Sequence, residues 1–376
     1  MIIGIDGNEA NIEKKVGISE YCFELLQQLS NFQFQISDVQ FRIYLKDEPR
    51  KDMPKQRQGW EYRIVHPKKL WTQFGLPLDL YFHKPRPDVF FSPTHYAPRF
   101  SPIPTVVSIM DVSYEFFPDL FRKSDLYKLK RWTEYSVKNA TKVLTISQAS
   151  KNDIMQVYNV PEEKVVVTYL GLKKPFAITK IFSSMKELQE KFGIPSSYIL
   201  FVGTLQPRKN IERLIQAFQK IAIRKEDTDL VIVGKPGWLY EDIINAPKKY
   251  GIEKRVHFLS FVAEDELISL YKNAACFVLP SLYEGFGLPV LEAMSYDCPV
   301  ITSNISSLPE AGGDAALYID PENIDELAKN MEDVLSDKKL RAGMIEKGRK
   351  QVQKFSWEKT ARETLKVLEE VAKNKR

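Results

Sequence analysis

The residues best suited to chemistry fall in two short stretches of this 376-residue chain. The denser one is Pro280-Ser-Leu-Tyr-Glu-Gly-Phe-Gly-Leu-Pro-Val-Leu-Glu-Ala-Met294. It reads as a buried strand, a Glu-Gly-Phe-Gly turn and a helix with Pro289 at or near its first position, where proline fits. Two glycines let backbone approach a ligand closely, and free N–H groups at a helix start suit a phosphate. Glu284 precedes the helix and Glu292 is expected in its first turn, so both can border one pocket. Carboxylates repel phosphate, which leaves sugar and ribose hydroxyls as their partners. Either glutamate alone fits an acidic first turn that only complements the helix dipole; the whole string favours a ligand site.

The second stretch is Phe201-Val-Gly-Thr-Leu-Gln-Pro-Arg-Lys-Asn210. A strand ends at Gly203, and Arg208 and Lys209 stand before a helix with Asn210 as its expected cap. Two cations beside a helix start suit a diphosphate leaving group, whose charge grows as a glycosidic C–O bond breaks. An Arg-Lys pair by itself is more often solvated surface; a strand-to-helix switch is where open α/β sheets bind ligands. Lys209→Ala is accordingly expected to lower turnover and leave folding intact. A third passage, Asp6 through Gly17, offers a loop bounded by glycines but no GxGxxG fingerprint, which weighs against a nicotinamide dehydrogenase. A P-loop is also missing from the sequence.

These residues need α/β elements to hold them. Strands are expected at Ile2–Ile5, Gln40–Leu45, Tyr62–Val65, Val89–Phe91, Thr105–Ile109 and Lys142–Ile146. The pattern starts again at Tyr198–Val202, Leu230–Val233, Val256–Leu259, Ala275–Leu279 and Val300–Thr302. Ile18, Tyr21, Cys22, Leu25, Leu26 and Leu29 form one apolar helical stripe, and Ile211, Leu214, Ile215 and Phe218 form another. Ser147 and Ser356 are helix N-cap candidates. The break falls near Gly171–Ser184. Two doubly wound domains follow, 1–172 and 173–355, with a last helix in 356–376 that can cross back to the first domain.

Composition agrees with a globular protein: 44% hydrophobic, 27% charged, net charge +5. Cys22, Cys276 and Cys298 are scattered, with no CxxC pair, and read as reduced buried thiols of a cytoplasmic protein. The four histidines are dispersed and show no zinc spacing. No apolar run of membrane-spanning length occurs, and the N-terminus reads as a strand instead of a leader. Residues 50–142 hold 17 Lys/Arg against 9 Asp/Glu. Tyr114-Glu-Phe-Phe-Pro-Asp-Leu-Phe121, beside Arg122, Lys123, Lys128, Lys130 and Arg131, is the candidate surface for peripheral contact with the inner face of the cell membrane. Aromatics in the core and cations in water account for the same residues somewhat more simply.

Over most of its length the chain resembles the family 4 retaining glycosyltransferases, which have the GT-B fold: two Rossmann-like doubly wound domains facing across a cleft. Glu284…Glu292 within Glu-Gly-Phe-Gly-Leu-Pro is similar to the family's paired glutamates, and Gly203–Asn210 to its donor-phosphate motif. Leu308-Pro-Glu-Ala-Gly-Gly-Asp-Ala315 and Phe355-Ser-Trp357 are similar to later landmarks. The resemblance implies that Arg208 and Lys209 hold the diphosphate, Glu284 contacts the donor sugar and Glu292 the ribose. Gly17, Gly203, Thr204, Phe286, Gly287 and Leu288 would line the donor, Phe261–Val262 would flank the base, and Asp111 would join the catalytic set. Met110-Asp111 stands where relatives commonly read His-Asp, with His95 as a substitute candidate, and Gly17 is followed by Ile18-Ser19 instead of a second glycine.

The implied enzyme is a metal-independent hexosyltransferase without a cofactor, acting by front-face displacement on a nucleotide diphosphate sugar. The resemblance is strongest to bacterial mannosyl- and rhamnosyltransferase-like members that build surface polysaccharide. It points to guanosine diphosphate mannose as donor and to a glycan or lipid-linked acceptor recognised by the first domain. No nucleic-acid partner is expected. The competing readings are a nucleotide-sugar-binding scaffold that has lost catalysis, which Met110 favours, and a sugar-nucleotide epimerase of the same fold.

Overall fold

The computed structural model describes residues 1–33, 38–173, 184–224, 227–260 and 262–374. The chain forms two compact units, Met1–Gly171 with Phe355–Arg376, and Leu172–Lys354. Leu172 thus groups with the second unit. Phe355 groups with the first, where its ring meets Tyr169 edge-on at 5.7 Å.

The first unit contains β1 (Ile2–Asp6), β2 (Gln40–Leu45), β3 (Trp60–Ile64), β4 (Val89–Ser92), β5 (Thr105–Ser108), β6 (Lys142–Thr145) and β7 (Val165–Val167). They form one parallel sheet in the order β3-β2-β1-β4-β5-β6-β7. The second contains β8 (Ser197–Val202), β9 (Thr228–Val233), β10 (Val256–Leu259), β11 (Cys276–Leu279), β12 (Val300–Ser303) and β13 (Ala316–Ile319). Its parallel order is β10-β9-β8-β11-β12-β13. Such sheets form because β4, β5, β9, β11 and β12 are buried along their whole length, as strands covered by helices on both faces must be. β7 and β13, absent from the sequence reading, are short strands on the outer edges.

In both units the strand order reverses direction once, between β1 and β4 and between β8 and β11. Successive right-handed crossovers then lay helices on opposite faces of the sheet, and the loops leaving the two central strands diverge. Those loops carry Asp6–Gly17 and the chain after Ser92 in the first unit. In the second they carry Gly203–Asn210 and Pro280–Gly287.

The helices follow their apolar stripes. Tyr21, Cys22, Leu25, Leu26 and Leu29 are buried on Ile18–Gln33, and Ile211, Leu214, Ile215 and Phe218 are fully buried on Ile211–Ala222. Each such side chain contributes about 1.5–3 kcal/mol relative to exposure. Ser147 caps Gln148–Tyr158 by accepting from the Ser150 N–H, and Ser356 caps Trp357–Lys373 by accepting from the Lys359 N–H. This last helix packs on Ile18–Gln33, β4 and β6. Thr360 donates to the Tyr169 carbonyl at 2.6 Å, and the Trp357 ring lies 6.1 Å from Tyr21. The closest approach is at Gly171, where a Cβ would fall 2.1 Å from the Trp357 backbone nitrogen.

Asp6 ends β1 and is 8% exposed. Its Oδ1 accepts from the Asn8 backbone and side-chain nitrogens at 3.0 and 2.6 Å. Burial pushes its carboxyl up to about 6, against the pull of Asn8 and Lys46. The native state therefore holds this proton more tightly than the unfolded chain. Stability is fullest below the ordinary value of 3.8 and falls as pH rises towards about 6.

Two outcomes are expected. Gly171→Ala should lower the unfolding free energy of the first unit by about 3 kcal/mol, because backbone cannot yield to the new Cβ; an unchanged urea midpoint would contradict this packing. Asp6→Asn should remove a loss of roughly 3 kcal/mol between acid and neutral pH. Equal pH slopes for variant and wild type would show that burial does not govern Asp6.

Candidate donor site

The loops after β8 and β11 meet at the switch point of the second unit. After Gly203 the chain stays beside the loop that follows β9: Leu205 N–H bonds the Lys235 carbonyl and Gly237 N–H the Leu205 carbonyl, both at 2.9 Å. A Cβ at Gly234 would lie 1.8 Å from the Gly203 oxygen, so the two turns touch through backbone. Pro207–Lys209 then makes a 3₁₀ turn whose Arg208 carbonyl accepts from the Leu282 N–H at 2.8 Å. This bond joins the two loops directly.

Side chains complete the join. Lys209, 9% exposed, donates to Glu284 Oε1 at 2.5 Å. The Arg208 guanidinium donates to the Tyr283 carbonyl and stands 3.5 Å from Glu284 Oε2. Ser281 Oγ donates to Glu284 Oε1 at 2.7 Å. Burial alone would raise the Glu284 carboxyl, but Lys209 and Arg208 outweigh it and hold the group below the ordinary carboxylate range. The cations expected to meet phosphate thus share a buried carboxylate with each other. Ser306 and Ser307 fix the Glu284 backbone by donating to its carbonyl at 2.5 and 2.8 Å, and Ser306 Oγ accepts from its N–H at 3.2 Å. Sequence reasoning missed both serines: they lie on the loop after β12, and only the β11–β12 pairing brings that loop alongside.

The turn then enters the helix Leu288–Ser295. Gly287 has φ +103°, and a Cβ there would lie 2.9 Å from Leu308 Cδ2, so this position requires glycine. Among the described residues the N–H groups of Gly287 and Leu288 have no protein acceptor, and Pro289 lacks one. These are the unsatisfied donors of a helix start, beside a buried Phe286. Thr204 is exposed, and Val262 is half-buried beyond the carboxyl end of β10; Phe261 lies outside the described residues.

Two expectations need correction here. Asn210 is not a conventional N-cap: its backbone is left-handed (φ 59°, ψ 31°), and its side chain makes no cap bond. Instead its amide donates to the carbonyls of Pro280 and Pro321 at 3.0 and 2.7 Å, tying the loops after β11 and β13 together. Glu292 is not in the first helical turn, which holds no acidic residue. From the second turn it accepts from the Tyr271 hydroxyl at 3.2 Å, and burial pushes its carboxyl up. Glu284 and Glu292 therefore have different partners and opposite electrostatics.

The remaining candidates lie in the first unit. Gly17 is exposed with φ +55° and open space around it. Half-buried Asp111 accepts from the Ser113 N–H at 2.9 Å, a local turn after β5, with Met110 half-buried beside it. His95 packs between Tyr96 and Tyr114 at 6.3 Å from each ring, with Nδ1 buried and unpartnered. Burial pulls its imidazole down, against the pull of Asp111. Tyr114 is buried and shares a 2.6 Å hydrogen bond with Tyr158, Phe121 packs on the same core, and Lys130 pairs with Glu115. The 114–131 stretch therefore places much of its aromatic surface inside the fold.

The buried pair alters what Lys209→Ala should do. Removing the ammonium leaves Glu284 buried with Arg208 alone, so a stability loss of about 3–5 kcal/mol is expected, in addition to any loss of turnover. Adding Glu284→Gln should recover part of it. A double-mutant cycle read by urea denaturation checks this, and strictly additive losses would mean that the pair is not coupled.

Residues 184–351 match the family described as Glycosyl transferases group 1, and residues 17–173 match Glycosyltransferase Family 4. The O-antigen chain mannosyltransferase B of Escherichia coli is 31% identical over 305 residues, covering 81% of this chain and 78% of that protein. The O-antigen chain mannosyltransferase RfbU of Salmonella typhimurium is 32% identical over 58% of this chain and 57% of its own length. Among solved structures, sucrose-phosphate synthase from Thermosynechococcus elongatus superposes with TM-score 0.72 at 17% identity over 98% of each chain. WaaG, a glycosyltransferase involved in lipopolysaccharide biosynthesis, gives 0.67 at 17% identity over 98% of this chain and 99% of its own. These structural likenesses show the GT-B class of fold, two Rossmann-like α/β domains. The chain belongs to the family 4 glycosyltransferases, and it is a hexosyltransferase.

Proposed function

We propose that this enzyme transfers mannose from guanosine diphosphate mannose, with retention and without a metal ion, to a glycan or lipid-linked acceptor in surface polysaccharide synthesis. The observation that carries the donor site is the group formed by Arg208, Lys209 and Glu284 next to the unsatisfied N–H donors of Gly287 and Leu288. Two cations and a helix start provide electrophilic groups for a diphosphate; an ionised carboxylate beside them accepts sugar hydroxyls. The sugar and the product class rest on the two O-antigen mannosyltransferases to which the chain is similar. A uridine nucleotide is the competing base, since the structurally similar HepE of Anabaena was solved with UDP and glucose.

In this reading the C1–O bond to the diphosphate breaks as the acceptor hydroxyl approaches the same face of the sugar. The acceptor oxygen bonds C1, and its proton passes to the departing phosphate oxygen. Charge on the leaving group is stabilised by Arg208, Lys209 and the helix start, in the role a divalent cation would otherwise fill. Glu292 and the chain at Val262 are assigned to the nucleoside, and Gly203 and Thr204 to the phosphates. Asp111 is assigned to the catalytic set, Gly17 to the donor, and His95 as a substitute for the histidine that Met110 replaces.

The test is thermal unfolding with guanosine, uridine, adenosine and thymidine diphosphate sugars, each with and without EDTA. A donor at 100 times its Kd adds about 2.7 kcal/mol, a shift of several degrees. The expected result is a shift with guanosine diphosphate mannose that survives EDTA, followed by transfer with an unchanged anomeric configuration in the product. A shift confined to uridine sugars would overturn the base, and loss in EDTA would overturn metal independence. Inversion at C1 would overturn the mechanism.

A further inference from the structure

One surface of the first unit has apolar residues on both sides of a single element. The chain from Trp71 to Phe82 is helical throughout, a wide π-type turn leading into Leu76–Phe82. Trp71, Leu76 and Leu80 face inward and pack with Tyr44, Phe90 and Ile103. Phe74, Leu78, Tyr81 and Phe82 recur at helical spacing on the other side and stand in water, Phe82 being 80% exposed. Phe100, 73% exposed, extends the strip. A groove of about 480 Å³ runs along it, lined by Phe74, Pro77, Leu78, Tyr81, Arg99 and Phe100. An amphipathic helix places charge on its outer face; this one places aromatic rings there, an arrangement that marks an interaction surface.

Two residues at the edges of the strip have left-handed backbone. Leu70 and Phe100 have φ +52° and +51°, a region that bulky side chains rarely adopt. Both lie at the margins of the strip, and both are fixed by hydrogen bonds. The Leu70 carbonyl accepts from Gln73 and Phe74, and the Phe100 N–H donates to the Tyr135 hydroxyl at 2.8 Å. Arg99 N–H bonds the Thr72 carbonyl at 3.1 Å and joins the two segments into one surface.

The surroundings of the strip are cationic. Lys69, Lys84, Arg86 and Arg99 make no ion pair among the described residues. Arg86 lies over Tyr81 and Arg99 over Tyr135, with the guanidinium carbons 5.9 and 4.7 Å from the ring centroids. The nearby acids are already engaged: Asp79 on the same helix is paired with Arg63, and Asp47 with Lys68. Exposed apolar rings bordered by uncompensated cations match one occupant best, the headgroup and upper acyl region of an anionic bilayer. No helix among the described residues is long and apolar enough to cross a membrane, so the contact is with its surface.

We propose that the Phe74–Phe82 helix face and Phe100, with Lys69, Lys84, Arg86 and Arg99 around them, seat the first unit on an anionic lipid surface. This site differs from the 114–131 stretch that the sequence suggests, and it does not depend on the donor reading.

The experiment is flotation of the full chain with vesicles of phosphatidylcholine alone and of phosphatidylcholine mixed with phosphatidylglycerol, at low and high salt. Binding is expected only to the anionic vesicles and is expected to weaken with salt, as screening requires. Phe82→Ser with Phe100→Ser should reduce it by about tenfold or more, and Lys69→Glu with Lys84→Glu by a similar factor. All four positions are exposed, so melting temperature and any donor-induced shift should stay at wild-type values. Absence of binding to anionic vesicles, or wild-type binding by both double variants, would overturn the proposal. Self-association abolished by the phenylalanine variant, without vesicle binding, would assign the strip to a second copy of the chain and overturn it equally.

Discussion

A carboxylate taken out of water must be matched by charge and hydrogen bonds, or it will not stay ionised. Glu284 is the point at which the second unit meets that demand. Its side chain receives Lys209, Arg208 and Ser281, while its backbone is fixed by Ser306 and Ser307. Those partners come from the ends of three adjacent strands, β8, β11 and β12. The buried charge joins the loops after β8 and β11, which the Arg208–Leu282 backbone bond also links, and hydrogen bonds to the Glu284 backbone add the loop after β12. The fixed loops in turn set the Gly287 turn and the open N–H groups that follow it.

The first unit solves its own closure differently. Its helix Trp357–Lys373 arrives from the far end of the sequence, after the whole second unit, and fills the space beside Ile18–Gln33. Contacts this remote in sequence bear the full entropy of bringing distant chain together. They are made dense enough to offset it: Val367, Leu368, Val371 and Ala372 are buried, and Gly171 lets backbone touch backbone. The helix is part of the core of that unit.

The strands were readable because strands covered on both faces are written as unbroken apolar runs, and both helical stripes were readable from their spacing. The exceptions have physical causes. β7 is three residues long and β13 four; both are edge strands, half-buried for much of their length, and neither gives a run long enough to distinguish from a loop. Asn210 looked like a cap because asparagine often is one. Here its left-handed backbone turns the amide towards two carbonyls from distant segments, a partnership no local pattern encodes. The exposed strip at Phe74–Phe82 was hidden for a related reason. Its composition, rich in Leu, Phe and Tyr, is what a buried element would show, and only the packing of Trp71, Leu76 and Leu80 reveals which half remains outside.

Each unit buries a carboxyl group where its central strands end, Asp6 after β1 and Glu284 after β11. The surroundings drive them in opposite directions. Around Asp6 the hydrogen bonds come from neutral Asn8, and Lys46 only moderates the effect of burial, so the carboxyl is raised to about 6. Around Glu284 two cations are in contact, and the carboxyl is lowered. Identical topology therefore does not dictate identical electrostatics. The sheet supplies the position, and the residues that follow each strand decide the charge. In the second unit that decision concentrates positive charge and open N–H donors in one place, as anion recognition requires. In the first it leaves a carboxyl that burial raises, against the pull of Asn8 and Lys46.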